Sequence, residues 1–197
     1  MENVLISISY QTKTYKKNEI IKNVSEECNN IAFIISGSIK IYTYLIDGKE
    51  TIIKNIESKN LFGNFLIYNK VKNYPGFITS VTNSKICYIK KDRFEYELQT
   101  NLKFLQWYLE YISLKATEMQ NLIKIYSQNT LKEKIMSLII YKCNLNGTNQ
   151  FKYKSHNDLA NMINIPRSSF SRTLYMLEKE KLIFHKNKII FVNNIYK

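Results

Sequence analysis

Cysteine and histidine are scarce, with three of the first and two of the second in 197 residues. Cys28, Cys87 and Cys143 stand far apart and form no C-x-x-C pair. An odd, scattered set argues against a disulfide framework and fits a reducing compartment. Zinc and iron–sulfur sites need clustered ligands, so no metal site is expected, and the thiols are expected to be small buried side chains. His156 and His185 both fall in the C-terminal part with no nucleophile–base pair around them, which gives no catalytic constellation; an enzyme is not expected. No apolar run reaches transmembrane length. The N-terminus carries Glu2 and lacks a basic stretch ahead of an apolar core, unlike a signal peptide. These features lead us to expect a cytoplasmic protein with no membrane partner.

Acidic side chains are the other shortage. Asp and Glu number 16 against 29 Lys and Arg, a formal net charge of +13. Such a chain favours polyanions, because each neutralised phosphate releases counterions. The excess is uneven. Residues 130–197 hold 12 basic and 4 acidic side chains, and the first 129 residues hold the other 17 and 12. The last third is therefore where a polyanion contact is expected.

The first ninety residues read as strands. Ile39, Ile41, Thr43 and Leu45 alternate with Lys40, Tyr42 and Tyr44, the period of a half-buried strand. Asp47-Gly48 is a hairpin signal. Short runs at Ala32–Ile35, Phe77–Val81 and Lys85–Ile89, with turn residues between, suggest a barrel or sandwich. The period then changes. Leu98, Leu102, Leu105, Leu109, Ile112, Ala116, Met119, Ile123 and Tyr126 are spaced alternately four and three apart, with no Gly or Pro between them. This is a heptad seam, expected to be a dimer interface formed by Leu102, Leu105, Leu109, Ile112, Ala116, Met119, Ile123 and Tyr126. Phe104, Trp107, Tyr108 and Tyr111 make a second apolar face on the same helix. Thr130 with Glu133 predicts a capping box at the start of the next helix.

The segment from Ser155 to Glu178 has helix-turn-helix grammar. Ser155 and Asp158 open one helix, with Leu159, Ala160 and Ile163 facing inward. Asn164 tolerates the left-handed backbone a tight turn needs, and Pro166 suits the start of the second helix. Phe170, Leu174 and Leu177 form its buried face. Arg167, Ser168, Ser169, Ser171 and Arg172 are left exposed. Arginine pairs with guanine O6 and N7 through two donors, and serines near a helix N-terminus reach bases or phosphates. Ser155 and His156 are further candidate DNA contacts. Leu182–Phe184 and Ile189–Val192 flank the basic turn His185-Lys186-Asn187-Lys188, the pattern of a β-wing, with Lys186 and Lys188 as candidate backbone contacts.

Strands, a heptad helix and a winged helix-turn-helix, in that order, resemble the Crp/Fnr family of bacterial regulators over nearly the whole chain. Ile34-Ile35-Ser36-Gly37-Ser38-Ile39-Lys40-Ile41-Tyr42 is similar to an early barrel strand of that family. Leu61-Phe62-Gly63 is similar to the start of its phosphate-binding cassette, and Pro166-Arg167-Ser168-Ser169-Phe170-Ser171-Arg172 to its recognition helix. The resemblance implies an α+β fold: a double-stranded β-helix (jelly-roll-like) barrel over 1–97, a dimerisation helix over 98–127 and a winged helix-turn-helix over 128–197. It implies a homodimeric transcription regulator on double-stranded DNA at a near-palindromic operator, with RNA polymerase as a partner if it activates. A small-molecule-binding module acting mainly through protein–protein contacts is the alternative.

Departures from the family pattern narrow this. Cyclic-nucleotide-binding members carry a glutamate after Phe-Gly, and here Asn64 stands there. Their Arg-Ser clamp for the cyclic phosphate is replaced by Asn73-Tyr74-Pro75-Gly76. Neither Tyr nor Pro replaces an Arg fork on phosphate, so no cAMP and no other resident cofactor is expected. Gly63, Asn64 and Tyr74 mark the candidate pocket for an unidentified effector, if there is one. Oxygen-sensing members use a group of N-terminal cysteines, which Cys28 alone does not supply. Ser168 stands where many relatives have an acidic residue, so base preference is expected to differ from theirs.

Overall fold

The computed structural model describes residues 1–193. The chain divides into two compact units, Met1–Glu110 and Tyr111–Lys197.

The first unit begins with helix α1 (Glu2–Ser7). Eight strands follow: β1 (Gln11–Tyr15), β2 (Ile20–Lys22), β3 (Asn30–Ser36), β4 (Ser38–Tyr44), β5 (Glu50–Glu57), β6 (Leu61–Phe62), β7 (Phe77–Ser80) and β8 (Ser84–Lys90). They make two four-stranded antiparallel sheets, ordered β1-β8-β3-β6 and β2-β7-β4-β5, the expected jelly-roll-like barrel. Tyr15, Ile21, Cys28, Ala32, Ile34, Ile39, Ile56, Phe62, Tyr74, Ile78, Ile86 and Tyr88 fill the space between the sheets. β3 is buried on both faces from Ile31 to Ile34, because helix α2 (Lys91–Thr100) packs on it and on β8.

Asp47-Gly48 does turn the β4–β5 hairpin. Leu45 N donates to Lys49 O at 2.9 Å, leaving a three-residue loop with Gly48 left-handed at φ +78°. The alternation of faces expected along β4 holds: Lys40 Nζ lies 4.5 Å from the Tyr42 ring centroid and the Tyr42 and Tyr44 rings are 5.8 Å apart on one side, while Ile39 and Ile41 face the interior. Pairing with β5 slips between Ile41 and Tyr42, with Ile53 the extra residue. The slip is a bulge carried by β5, so β4 keeps its faces, and Tyr42 is buried on the outer one. Tyr42 there stacks on Phe77 of β7, centroids 5.5 Å apart.

The continuous heptad helix expected from Leu98 is broken. α2 ends at Thr100 and a separate helix α3 (Leu102–Tyr126) begins after Asn101. Asn101 leaves the helical region at φ −122°, ψ 93°, and its Oδ1 accepts the Phe104 N–H at 3.2 Å. A side chain able to cap a new helix competes with continuing the old one, so Leu98 belongs to α2 and the seam starts at Leu102. Leu102, Leu109, Ala116, Met119, Ile123 and Tyr126 are exposed, and Leu105 and Ile112 are half-buried. The aromatic face is covered. Phe104 and Tyr108 pack edge-on against Phe94 of α2, centroids 5.2 and 5.0 Å away.

In the second unit the predicted Thr130–Glu133 capping box opens α4 (Leu131–Leu145). β9 (Gln150–Lys152), α5 (His156–Met162), α6 (Arg167–Lys179), β10 (Ile183–Lys186) and β11 (Ile189–Val192) complete it, with a β10-β11-β9 sheet. All three cysteines are buried free thiols.

Phe104 has no exposed surface. Phe104→Ala is expected to destabilise the first unit by about 3–5 kcal/mol, through lost burial, a cavity and a lost aromatic pair. Urea unfolding checks this; a loss below about 1 kcal/mol would mean the ring is not holding α3 to α2.

Candidate functional site

α5 and α6 are set by the turn between them. Ser155 Oγ accepts the Asp158 N–H at 3.1 Å and caps α5. Leu159, Ala160 and Ile163 are buried with Phe170, Leu174 and Leu177 of α6, Ile135, Leu138 and Ile139 of α4, and Ile183 and Ile190 of the hairpin. Ala160 is fully buried where the two helices meet. Asn164 is left-handed at φ +50°. Pro166 occupies the cap position of α6, so the first helical residue is Arg167.

This packing presents a polar surface. Arg167, Ser168 and Arg172 are exposed, and Ser169 and Ser171 are half-buried. The two arginines lie five positions apart and so occupy different edges of the helix. Arg167 shares its edge with Ser171 and lies close enough to His156 to affect its charge. Ser168, Arg172, Tyr175 and Lys179 form the neighbouring stripe. Tyr175, 65% exposed, was missed in the sequence reading. Its spacing of three from Arg172, outside the buried set, was the available signal. Lys186 and Lys188 are exposed in the hairpin, whose two-residue turn is Asn187-Lys188, both left-handed at φ +51° and +60°. Two such residues give the type I′ geometry that matches strand twist. Ser155 and His156 are half-buried and engaged with neighbouring side chains: Ser155 with Asp158, and His156 with Tyr153 and Ser171.

The barrel candidates Gly63, Asn64 and Tyr74 also come together. Residues 72–74 run against 25–28: Cys28 N donates to Lys72 O at 2.8 Å, Tyr74 N to Glu26 O at 3.0 Å and Ser25 N to Tyr74 O at 3.0 Å. That lacing carries the Tyr74 ring inward. A Cβ at Gly63 would stand 2.9 Å from both Cys28 Sγ and Asn30 O and 3.5 Å from the Tyr74 hydroxyl. Burial, with Cys28 beside it, pushes the Tyr74 phenol far above its ordinary range. Asn64 is 1% exposed, and its amide forms no aligned hydrogen bond. It does lie near enough to the Tyr108 hydroxyl to offset partly the rise that burial causes there. Tyr15 and Tyr88 hydroxyls hydrogen-bond each other at 2.7 Å in the same interior. A cyclic phosphate needs an anion clamp, and the positions facing this cradle supply a thiol, a phenol and an amide. These residues do not fit that group.

Residues 12–101 match the cyclic nucleotide-binding domain family. The chain is 23% identical to the anaerobic regulatory protein of Pasteurella multocida (strain Pm70), across 97% of this chain and 71% of that protein. It is 22% identical to the fumarate and nitrate reduction regulatory protein of Yersinia pestis, across 96% and 78%. A solved structure of CprK in complex with OCPA superimposes with a TM-score of 0.76 over 98% of this chain and 90% of that one, at 16% identity. That last likeness establishes the fold: a β-barrel followed by a helix-turn-helix.

A left-handed β-branched residue costs about 1–2 kcal/mol. Asn164→Val is therefore expected to destabilise the second unit by that amount while Asn164→Gly changes little. Denaturant midpoints check the pair; equal losses for both would place the cost in the asparagine side chain.

Proposed function

We propose that the chain is a transcription regulator of the Crp/Fnr family that binds DNA sequence-specifically as a homodimer on a near-palindromic site. One observation carries this reading. α6 buries Phe170, Leu174 and Leu177 and turns Arg167, Ser168 and Arg172 outward, in the part of the chain that holds most of the positive excess. An exposed helix of this kind fits the major groove, with arginines on guanine edges and the Lys186–Lys188 turn on phosphates.

The exposed seam on α3 supports the dimer. Leu102 is 68% exposed, Met119 58% and Ile123 64%, and a repeat of apolar side chains at this spacing buries itself against a second copy. Two copies set two recognition helices on successive major grooves, about one helical turn apart. A signal that changes the population of dimer states changes the spacing of the two heads. The signal is not a cyclic nucleotide held in the family's usual manner, given the thiol, phenol and amide at the cradle.

Selection of bound duplexes from a random pool, at about physiological salt where non-specific binding is weak, is expected to enrich a two-fold-symmetric site. Arg172→Ala is expected to weaken the selected site by about 1–3 kcal/mol and to relax preference at one base pair per half-site. Unchanged discrimination would remove Arg172 from base readout, and uniform, salt-sensitive binding with no enriched site would overturn specific recognition. Met119→Glu places a charge in the seam and is expected to shift sedimentation from dimer to monomer; a dimer that persists would move the interface elsewhere. Millimolar cyclic AMP is expected to leave both thermal unfolding and duplex affinity unchanged, whereas a ligand bound to the native state would raise the unfolding temperature.

A further inference from the structure

Both histidines of the chain lie in one cluster, ring centroids 6.0 Å apart. His156, the first residue of α5, stacks on Tyr153 with centroids 5.3 Å and planes 25° apart, and leans on Phe170 at 5.8 Å. Its two ring nitrogens are both engaged. Nε2 meets the Tyr153 hydroxyl at 3.1 Å and Nδ1 meets Ser171 Oγ at 2.9 Å. Tyr153 precedes α5, and Ser171 stands on the polar side of α6. One imidazole therefore ties the entry of α5 to the helix assigned to DNA.

A neutral imidazole has one N–H and one bare nitrogen. One of its two hydroxyl partners must then point its own hydrogen into the ring. An imidazolium donates from both nitrogens, so both hydroxyls accept and both turn their hydrogens away. Ser171 is then fixed as a donor toward whatever lies outside α6, with a positive charge directly behind it. A phosphate oxygen or a guanine edge suits that arrangement.

We propose that His156 makes DNA binding proton-linked: the imidazolium is the form that holds the duplex, and Ser171 is the hydroxyl through which it acts. This rests on the DNA-binding reading above.

The surrounding groups fix the sign. Burial, then His185 of β10 and Arg167 of α6, hold His156 below the ordinary histidine range in the free protein. Glu178 of α6 is turned to His185 instead: Oε1 accepts the His185 backbone N–H at 3.1 Å and lies 3.1 Å from Nδ1, without an aligned hydrogen bond to it. Asp158, on the same helix as His156, is held by Ser155. The phosphates of a duplex bring the negative charge that favours the proton. The bound form then takes up a proton that the free form lacks, so affinity rises as pH falls through the bound-state pKa and levels off below the free-state one.

The test uses the full chain, the selected duplex and a scrambled duplex, with affinity measured by fluorescence anisotropy from about pH 8 down to pH 5 at fixed salt. The wild type is expected to gain up to about tenfold per pH unit on the selected duplex, the limit for one proton. His156→Gln is expected to flatten that slope. Side-chain ¹⁵N shifts of His156 in the free protein are expected to titrate below the ordinary range, to move up when duplex is added, and to change in Ser171→Ala. A slope that survives His156→Gln, or a midpoint that ignores both duplex and Ser171→Ala, overturns the proposal while leaving DNA binding intact. Failure to bind either duplex at any pH overturns the DNA-binding reading itself, and the proposal with it.

Discussion

An α-helix whose sequence is apolar on two faces needs a partner for each, and α3 is such a helix. Phe104 and Tyr108 spend one face on Phe94, in an edge-to-face set that is buried and closed. The other face, from Leu102 to Tyr126, stays largely open, with Leu105 and Ile112 half-buried. Apolar surface in a continuous stripe is unfavourable in water and stabilising once matched. The aromatic contact therefore decides which face remains, and the proposed assembly depends on it: had Phe104 pointed elsewhere, the heptad positions would have rotated with it.

The same logic of coverage acts in the second unit, but there it leaves polar groups outside. α6 has an apolar side deep enough to meet α4, α5 and the hairpin in one core. Its remaining surface carries serines, Arg167 and Arg172, with Tyr175 and Lys179 further along. The turn before it is held by residues that accept an uncommon backbone, Asn164 between helices and Asn187 between strands. Fixing these turns fixes where Arg167 and Lys188 stand. Position is thus determined by buried residues, while chemistry is carried by residues that contribute little to stability.

Much of this was legible in the sequence because it rests on local rules. The Thr130 cap, the helix-turn-helix and the hairpin at Asp47-Gly48 each follow from a few adjacent residues. What was not legible depended on competition between neighbours. Periodicity ran unbroken through Asn101, and only the capping bond to Phe104 shows why one helix became two. Tyr42 is buried on the face the pattern leaves polar because its ring stacks on Phe77 across the sheet, a contact with no trace in the β4 pattern. His156 was read as a candidate DNA contact, with no side-chain partners assigned to it. Its partners Tyr153 and Ser171 are three and fifteen residues away, and the second separation exists only once α5 and α6 pack.

The barrel interior makes a contrasting case, because its chemistry follows from what is buried together. An anion held there must exchange water for fixed donors or a cation, at a cost of several kcal/mol if neither is present. The two inward phenols Tyr15 and Tyr88 satisfy each other. Lys22 lies over the Tyr74 ring, 5.8 Å from its centroid, and is ion-paired to Glu26. Drawing Lys22 inward would break that pair, and admitting a phosphate beside Gly63 would require displacing Cys28 or Tyr74. An apolar or weakly polar molecule also has to displace packed side chains, but it leaves the Lys22–Glu26 pair intact and needs no anion clamp. If the barrel of this chain receives a signal, the physics of its lining favours an uncharged ligand that replaces packed side chains over a phosphate that needs an arginine.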